Sequence, residues 1–223
     1  MLTISPSTFS FLSDLRDNNN KEWFLANRER YESALQNVKD FVGSFIQQLA
    51  RVDRYITEDI PVSKCLFRIY RDTRFSKDKT PYKHWFGAAI STAGRKLNGP
   101  EYYLHISPEN AFIAGGYWRP EKEHLAAIRQ EIDYNPEQFR AAISTSAFKK
   151  HCVFDEADKL KKAPAGYDPA HPEIEYLKLK SFTASAALSP AQLAAEDAIP
   201  LLLAVTAAMY DFKLFLHQAL DQA

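Results

Sequence analysis

The sequence predicts an α+β fold: a single domain over residues 1–223, with a central antiparallel β-meander flanked by a long N-terminal helix and by C-terminal helices. Three observations carry that reading. Apolar side chains recur at three- and four-residue steps toward both ends of the chain, the period of an amphipathic helix. In the middle the period drops to two, with aromatic and β-branched residues set between turn-forming ones. Neither an internal repeat nor a long flexible linker interrupts the chain, and 223 residues with 46% hydrophobic content can enclose a substantial core.

The elements follow in order. Ser5-Pro6 pairs a capping residue with proline at the first helical position, where the missing N–H costs nothing. The helix runs to about Arg16 and turns Phe9, Phe11 and Leu12 inward. Asn18-Asn19-Asn20 breaks it and caps a second helix, to about Asp53, with Trp23, Tyr31, Leu35, Val38, Val42, Phe45 and Leu49 in one stripe. Such a stripe needs an apolar surface, so this helix is expected on the sheet. Cys65 to Arg71 alternates Phe67 and Ile69 against Arg68 and Tyr70, as a strand does. Trp85 to Ser91, Glu101 to Ser107 and Ala111 to Tyr117 read as further strands, joined through Gly94, Asn98-Gly99 and Ser107-Pro108-Glu109-Asn110. Connections this short make the pairing antiparallel.

Helices resume at Pro120, where Leu125, Ile128 and Ile132 share a face, and Asn135-Pro136-Glu137-Gln138 has the spacing of a capping box. Val153-Phe154 is a brief strand, Lys161 to Pro172 a loop, and Pro172-Glu173 opens a short helix through Leu179. Ser189-Pro190-Ala191-Gln192 caps a final helix that continues to His217, bent or broken at Pro200.

Lys and Arg number 28, as do Asp and Glu, and the zero net charge argues against a dedicated nucleic-acid or membrane-surface binder. The N-terminus has no basic-then-apolar leader. The longest apolar run, Ala198 to Tyr210, is interrupted by Pro200 and Thr206 and is shorter than the roughly 20 residues of a membrane span. A soluble cytoplasmic protein with no membrane partner is expected, of unassigned oligomeric state. Two cysteines, Cys65 and Cys152, are too few for a disulfide framework. His84, His105, His124, His151, His171 and His217 show no metal-ligand spacing, so neither metal nor cofactor is assigned.

The densest chemistry lies in residues 68–83. Arg68, Arg71, Arg74, Lys77, Lys79 and Lys83 face only Asp72 and Asp78. Arginine offers a planar donor fork for carboxylate or phosphate, and lysine adds a point charge. Tyr70, Phe75 and Tyr82 supply stacking surfaces. Strand alternation sends Arg68 and Tyr70 to one face and Arg71 to the other, so the chain must turn at Asp72-Thr73 to bring the cations together. Either the two acids then neutralise the surplus or an anion does.

The stretch from Tyr70 to Lys83 resembles the signature of the "domain of unknown function 2461" family. The resemblance extends to Trp23-Phe24 with Arg28 and Tyr31, to Gly115-Gly116-Tyr117-Trp118-Arg119-Pro120, to Leu125 with Ile128-Arg129, and to Leu160-Lys161 through Gly166-Tyr167 and His171-Pro172. It implies a single-domain cytoplasmic protein of bacterial type and identifies no catalytic residue. Co-occurrence of these segments places Phe24 and Arg28 beside the basic loop.

Two further places hold candidate residues. Gly115-Gly116-Tyr117-Trp118-Arg119-Pro120 reads first as a tight strand-to-helix corner with Trp118 in the core, and second as a site using Trp118 and Arg119. His171, between Pro169 and Pro172, is expected to stabilise a turn, with a site role as the alternative. The preferred functional reading is a soluble protein that binds a phosphorylated or carboxylated small molecule through Arg68, Tyr70, Arg71, Arg74, Lys77, Tyr82, Lys83 and Arg28. Its competitors are an interaction module for nucleic acid or an acidic protein, and an ion-paired loop with no ligand.

Overall fold

A computed structural model describes residues 2–221. Its elements are α1 (Pro6–Asp17), α2 (Lys21–Ala26), α3 (Arg28–Leu49), α4 (Val62–Cys65), β1 (Phe86–Ile90), β2 (Glu101–Ile106), β3 (Phe112–Tyr117), α5 (Lys122–Tyr134), α6 (Pro136–Ser144), α7 (Ser146–His151), β4 (Val153–Phe154), α8 (Ile174–Leu177), β5 (Phe182–Ala187), α9 (Pro190–Ala194) and α10 (Ala198–Asp221). The fold is α+β, and the five strands form one antiparallel sheet in the order β1-β2-β3-β5-β4. The edge pair opposes Val153 to Ser185 and Phe154 to Ala184.

The chain divides into two compact units. One comprises Met1–Lys96, Tyr103–Ile113 and Ala187–Leu203, the other Leu97–Tyr102, Ala114–Ala186 and Ala204–Ala223.

In the first unit Ser5 caps α1 through the Ser7 N–H, and Phe9, Phe11, Leu12 and Leu15 are buried. The expected helix from Asn20 to Asp53 is two helices. Asn27 lies off helical geometry (φ −111°, ψ 22°) between α2 and α3, and its side-chain amide donates to the Trp23 carbonyl. This is a polar side chain competing for helical backbone groups. The stripe holds: Val38, Val42, Phe45 and Leu49 are buried, and the Tyr31 ring stacks on Phe86 of β1 with centroids 6.4 Å apart. Of residues 65–71, expected as a strand, Cys65 closes α4 and the rest form an extended segment held by single bridges, Leu66 to Ala88 and Tyr70 to Tyr82. Arg95 explains why it strays from the ladder, because its guanidinium collects the carbonyls of Ser63, Lys64 and Leu66.

In the second unit Phe139, Phe148, Phe154, Phe182 and Phe212 meet edge to face. The capping box expected at Asn135 is absent; its amide donates back to Glu131 and no side-chain cap forms on α6. Ser189 and Gln192, in the first unit, do form theirs. Pro200 does not break the last helix. The interruption falls after α9, and Pro200 occupies the first turn of α10, where a missing N–H is harmless. α10 has the length and apolarity of a membrane-spanning helix. Leu202, Val205, Met209, Phe212 and Leu216 are nonetheless buried within the fold.

Candidate functional site

The basic loop is carried on two short extended arms. Arg71 N–H donates to the Pro81 carbonyl and Lys83 N–H to that of Ile69. Asn19 clamps the second arm from the side: its amide donates to Tyr82 O at 2.9 Å and its carbonyl accepts Tyr82 N–H at 3.1 Å. The asparagine run that ends α1 thus also seats the loop.

Between the arms the acids shape the turn. Asp72 accepts the Arg74 backbone N–H two residues on, at 3.2 Å, and binds the same guanidinium through both oxygens at 3.0 and 2.7 Å. Asp78 accepts Thr80 N–H at 2.9 Å and pairs with Arg71, which also reaches the Thr80 hydroxyl. Those contacts, the Thr80 N–H foremost, hold the Asp78 pKa down at about 2. Lys79 donates to the Thr73 carbonyl at 2.8 Å. Arg71 and Arg74 are therefore partners of the loop's own carboxylates. Arg68 and Lys77 are exposed and have no ion pair among the described residues.

Under the arms lies an aromatic stack. Phe24 lies flat against Tyr82, with centroids 4.0 Å apart and planes 13° from parallel, and it also meets Tyr31 and Tyr70. Tyr82 is 5% exposed, so it is a floor residue, whereas Tyr70 keeps 51% of its surface open. Arg28 pairs with Glu32 at 2.9 Å and lies within electrostatic reach of the Tyr31 and Tyr70 hydroxyls. Burial, with Tyr70 nearby, raises the Tyr31 pKa. Phe24 and Arg28 do sit beside the loop. At its tip Phe75 is 94% exposed, with the Arg74 guanidinium over its ring.

Lys83 turns away from the tip of the loop, to the base of the arms. Its amine donates to the Arg68 carbonyl at 2.9 Å and lies over the rings of Trp85 (5.0 Å) and Phe67 (5.5 Å). Burial first, and Arg68 second, lower its pKa. These rings continue into a layer that sequence reasoning did not assemble. Phe67 meets Tyr103, Trp85 meets His105, His105 stacks on Phe112, and Tyr103 hydrogen-bonds His105 Nδ1 at 3.1 Å. Gly87 makes room for it, since a Cβ there would lie 2.7 Å from the Tyr103 hydroxyl and 2.8 Å from Trp85. The signal was the alternation that places Tyr103 and His105 on one side of their strand.

The remaining candidates are separate. Trp118, expected in the core, is 58% exposed. The corner is reversed by Gly116 (φ 126°) and Arg119 (φ 46°), which swings the indole outward beneath the Arg119 guanidinium. Arg119 also pairs with Asp158, and its backbone N–H donates to Ser181. His171 Nδ1 accepts Glu173 N–H and Nε2 meets Asp133 at 2.9 Å, which fixes its loop on α5. Among the described residues no group of three or more His, Cys, Asp or Glu is arranged to hold a metal.

These features define an α+β protein with a clamped, internally ion-paired basic loop over an aromatic stack. The chain belongs to the family of conserved hypothetical proteins DUF2461, whose model matches residues 7–215. No curated protein and no solved structure matches it.

Proposed function

We propose that the protein binds a phosphorylated or carboxylated small molecule on the open side of the basic loop, through Arg68 with Arg28 and the Tyr70 hydroxyl around it. The observation that carries this reading is the uneven use of charge. Asp72 and Asp78 satisfy Arg74 and Arg71, while Arg68 is left exposed with no ion pair among the described residues, Asp72 reaching it only at longer range. An unpaired guanidinium beside a fixed aromatic surface suits an oxyanion that accepts two parallel hydrogen bonds. Arg71 and Arg74, with Asp72 and Asp78, act as the frame, and Lys77 adds field at the rim.

Thermal-shift and calorimetric titration at low salt with inorganic phosphate, sugar phosphates, nucleotides and dicarboxylates test it. One class is expected to stabilise the fold, and Arg68→Ala is expected to weaken its binding by about tenfold or more, the size of a charged hydrogen bond. Arg74→Ala is expected to change it far less. If no anion stabilises the protein, or if Arg68→Ala binds as the parent does, the reading is wrong.

A further inference from the structure

We propose that Lys83 is an imine-forming lysine, whose ε-amine condenses with the aldehyde or ketone carbonyl of the anionic molecule that Arg68 holds. The choice of an anionic partner rests on the preceding proposal; the choice of Lys83 does not. A lysine becomes a nucleophile at neutral pH when apolar surroundings or a second cation disfavour its ammonium form. Lys83 has both. Its amine is half-buried between the Phe67 and Trp85 rings, and Arg68 is its charged neighbour. The ring faces attract an ammonium, which opposes these effects. No carboxylate pairs with it among the described residues, and its single hydrogen bond goes to a backbone carbonyl.

The other lysines of the loop lack this combination. Lys79 and Lys77 are exposed, and Lys79 is committed to the Thr73 carbonyl. Lys83 is also held in place rather than free to swing. Its backbone N–H is bonded to Ile69, and Trp85 is braced from behind by His105. The Arg68 charge reaches the Lys83 amine, so a molecule with an anionic group at one end and a carbonyl a few bonds away can span from the guanidinium to the amine at the base of the arms.

The step is a condensation. The unprotonated nitrogen attacks the carbonyl carbon, a C–N bond forms, and the oxygen takes up a proton to give a carbinolamine. Loss of that oxygen as water leaves the C=N bond. Both hydrogens of the water come from the amine, and nothing is oxidised or reduced.

Borohydride trapping decides the matter. The whole protein is incubated briefly with glyceraldehyde 3-phosphate, or with glyceraldehyde as the uncharged control, then reduced and mapped by peptide mass spectrometry. The phosphorylated aldehyde is expected to mark Lys83 before any other lysine. Arg68→Ala is expected to cut that labelling by about tenfold, to the level of the control. Lys83→Arg, which keeps the charge over the rings, is expected to abolish the adduct with the far-UV spectrum unchanged. Adducts spread over surface lysines without preference for Lys83 overturn the proposal, and because they are read on the unaltered chain, no variant need fold. Equal labelling of Lys83 by both aldehydes, unaffected by Arg68→Ala, keeps the nucleophile and rejects the anion reading. Phosphate binding without Lys83 labelling does the reverse.

Discussion

Acidification singles out His105. The ring is 7% exposed, packed between Trp85 at 4.7 Å and Phe112 at 5.0 Å, and burial holds its pKa at about 4 against an ordinary 6.5. Because the folded pKa is the lower one, the unfolded chain takes the proton first. The stability carried by the neutral imidazole is complete above pH 6.5 and is lost as the pH falls toward 4. From 6.5 to about 4 is a displacement of about 2.5, which at 1.36 kcal/mol per pH unit gives about 3.4 kcal/mol, and partial water access reduces this to about 2–3 kcal/mol. Glu101 on the same strand acts with the opposite sign. Burial raises its pKa from 4.5 to about 7, so its contribution is present below 4.5 and fades as the pH rises through 7. The parent's own pH profile mixes the two, and the variants separate them. Urea unfolding of the parent and of His105→Phe, at intervals from pH 7.5 to 4, is expected to show the parent losing about 2–3 kcal/mol more than the variant. Glu101→Gln is expected to steepen the acid loss. Parallel curves for parent and His105→Phe would refute the argument.

Four further substitutions test packing, backbone conformation and hydrogen bonding. Phe24→Ala removes a ring that is 3% exposed and lies flat on Tyr82, and is expected to cost about 3–4 kcal/mol in urea unfolding while loosening Tyr70. Gly116→Ala is expected to leave little folded protein by circular dichroism, because φ is 126° and the new Cβ would sit 2.1 Å from the Phe182 carbonyl. Gly166→Ala, at φ 91° with open space around it, is expected to cost only about 1 kcal/mol. Asn19→Ala leaves the Tyr82 peptide without its clamp, and the expected loss is about 1–3 kcal/mol, with faster amide exchange along residues 70–82.

Much of the architecture was legible because it rests on period and punctuation. Ser5-Pro6 and Ser189-Pro190 gave true helix starts, and three of the strands lie where two-residue alternation placed them. What escaped depended on distant partners. β5 alternates Phe182, Ala184 and Ala186 inward, but alanine is a poor strand former, so its pairing with β4 had no local signal. Residues 65–71 have strand composition, yet the Arg95 guanidinium occupies the carbonyl of Leu66. Hydrophobicity alone places Trp118 inside, whereas the positive φ of Arg119, a residue with no sequence preference for it, turns it out. Asn135 had the right neighbours for a capping box, and Glu131, one turn earlier, took its amide instead.

The basic loop shows why a charge count misjudges a site. Six cations against two acids reads as a surplus of four spread over the run. Folding does not spread it. Each aspartate sits two residues before the backbone N–H that it accepts, so the turn needing its oxygen also brings it an arginine, Arg74 for Asp72 and Arg71 for Asp78. Lys79 caps the turn through a carbonyl and contributes shape more than recognition. Of the four cations left without a carboxylate, Lys77 and Lys79 stay in the turn, while Arg68 and Lys83 lie at the base of the arms, where Asn19 and the Phe24–Tyr82 stack hold the backbone. On the proposed reading, a ligand bound there meets a backbone already held by these contacts and need not freeze the whole loop on arrival, which lowers the ordering cost that weakens flexible basic segments. Under that reading, the frame built by the paired arginines is what lets the unpaired one serve a ligand.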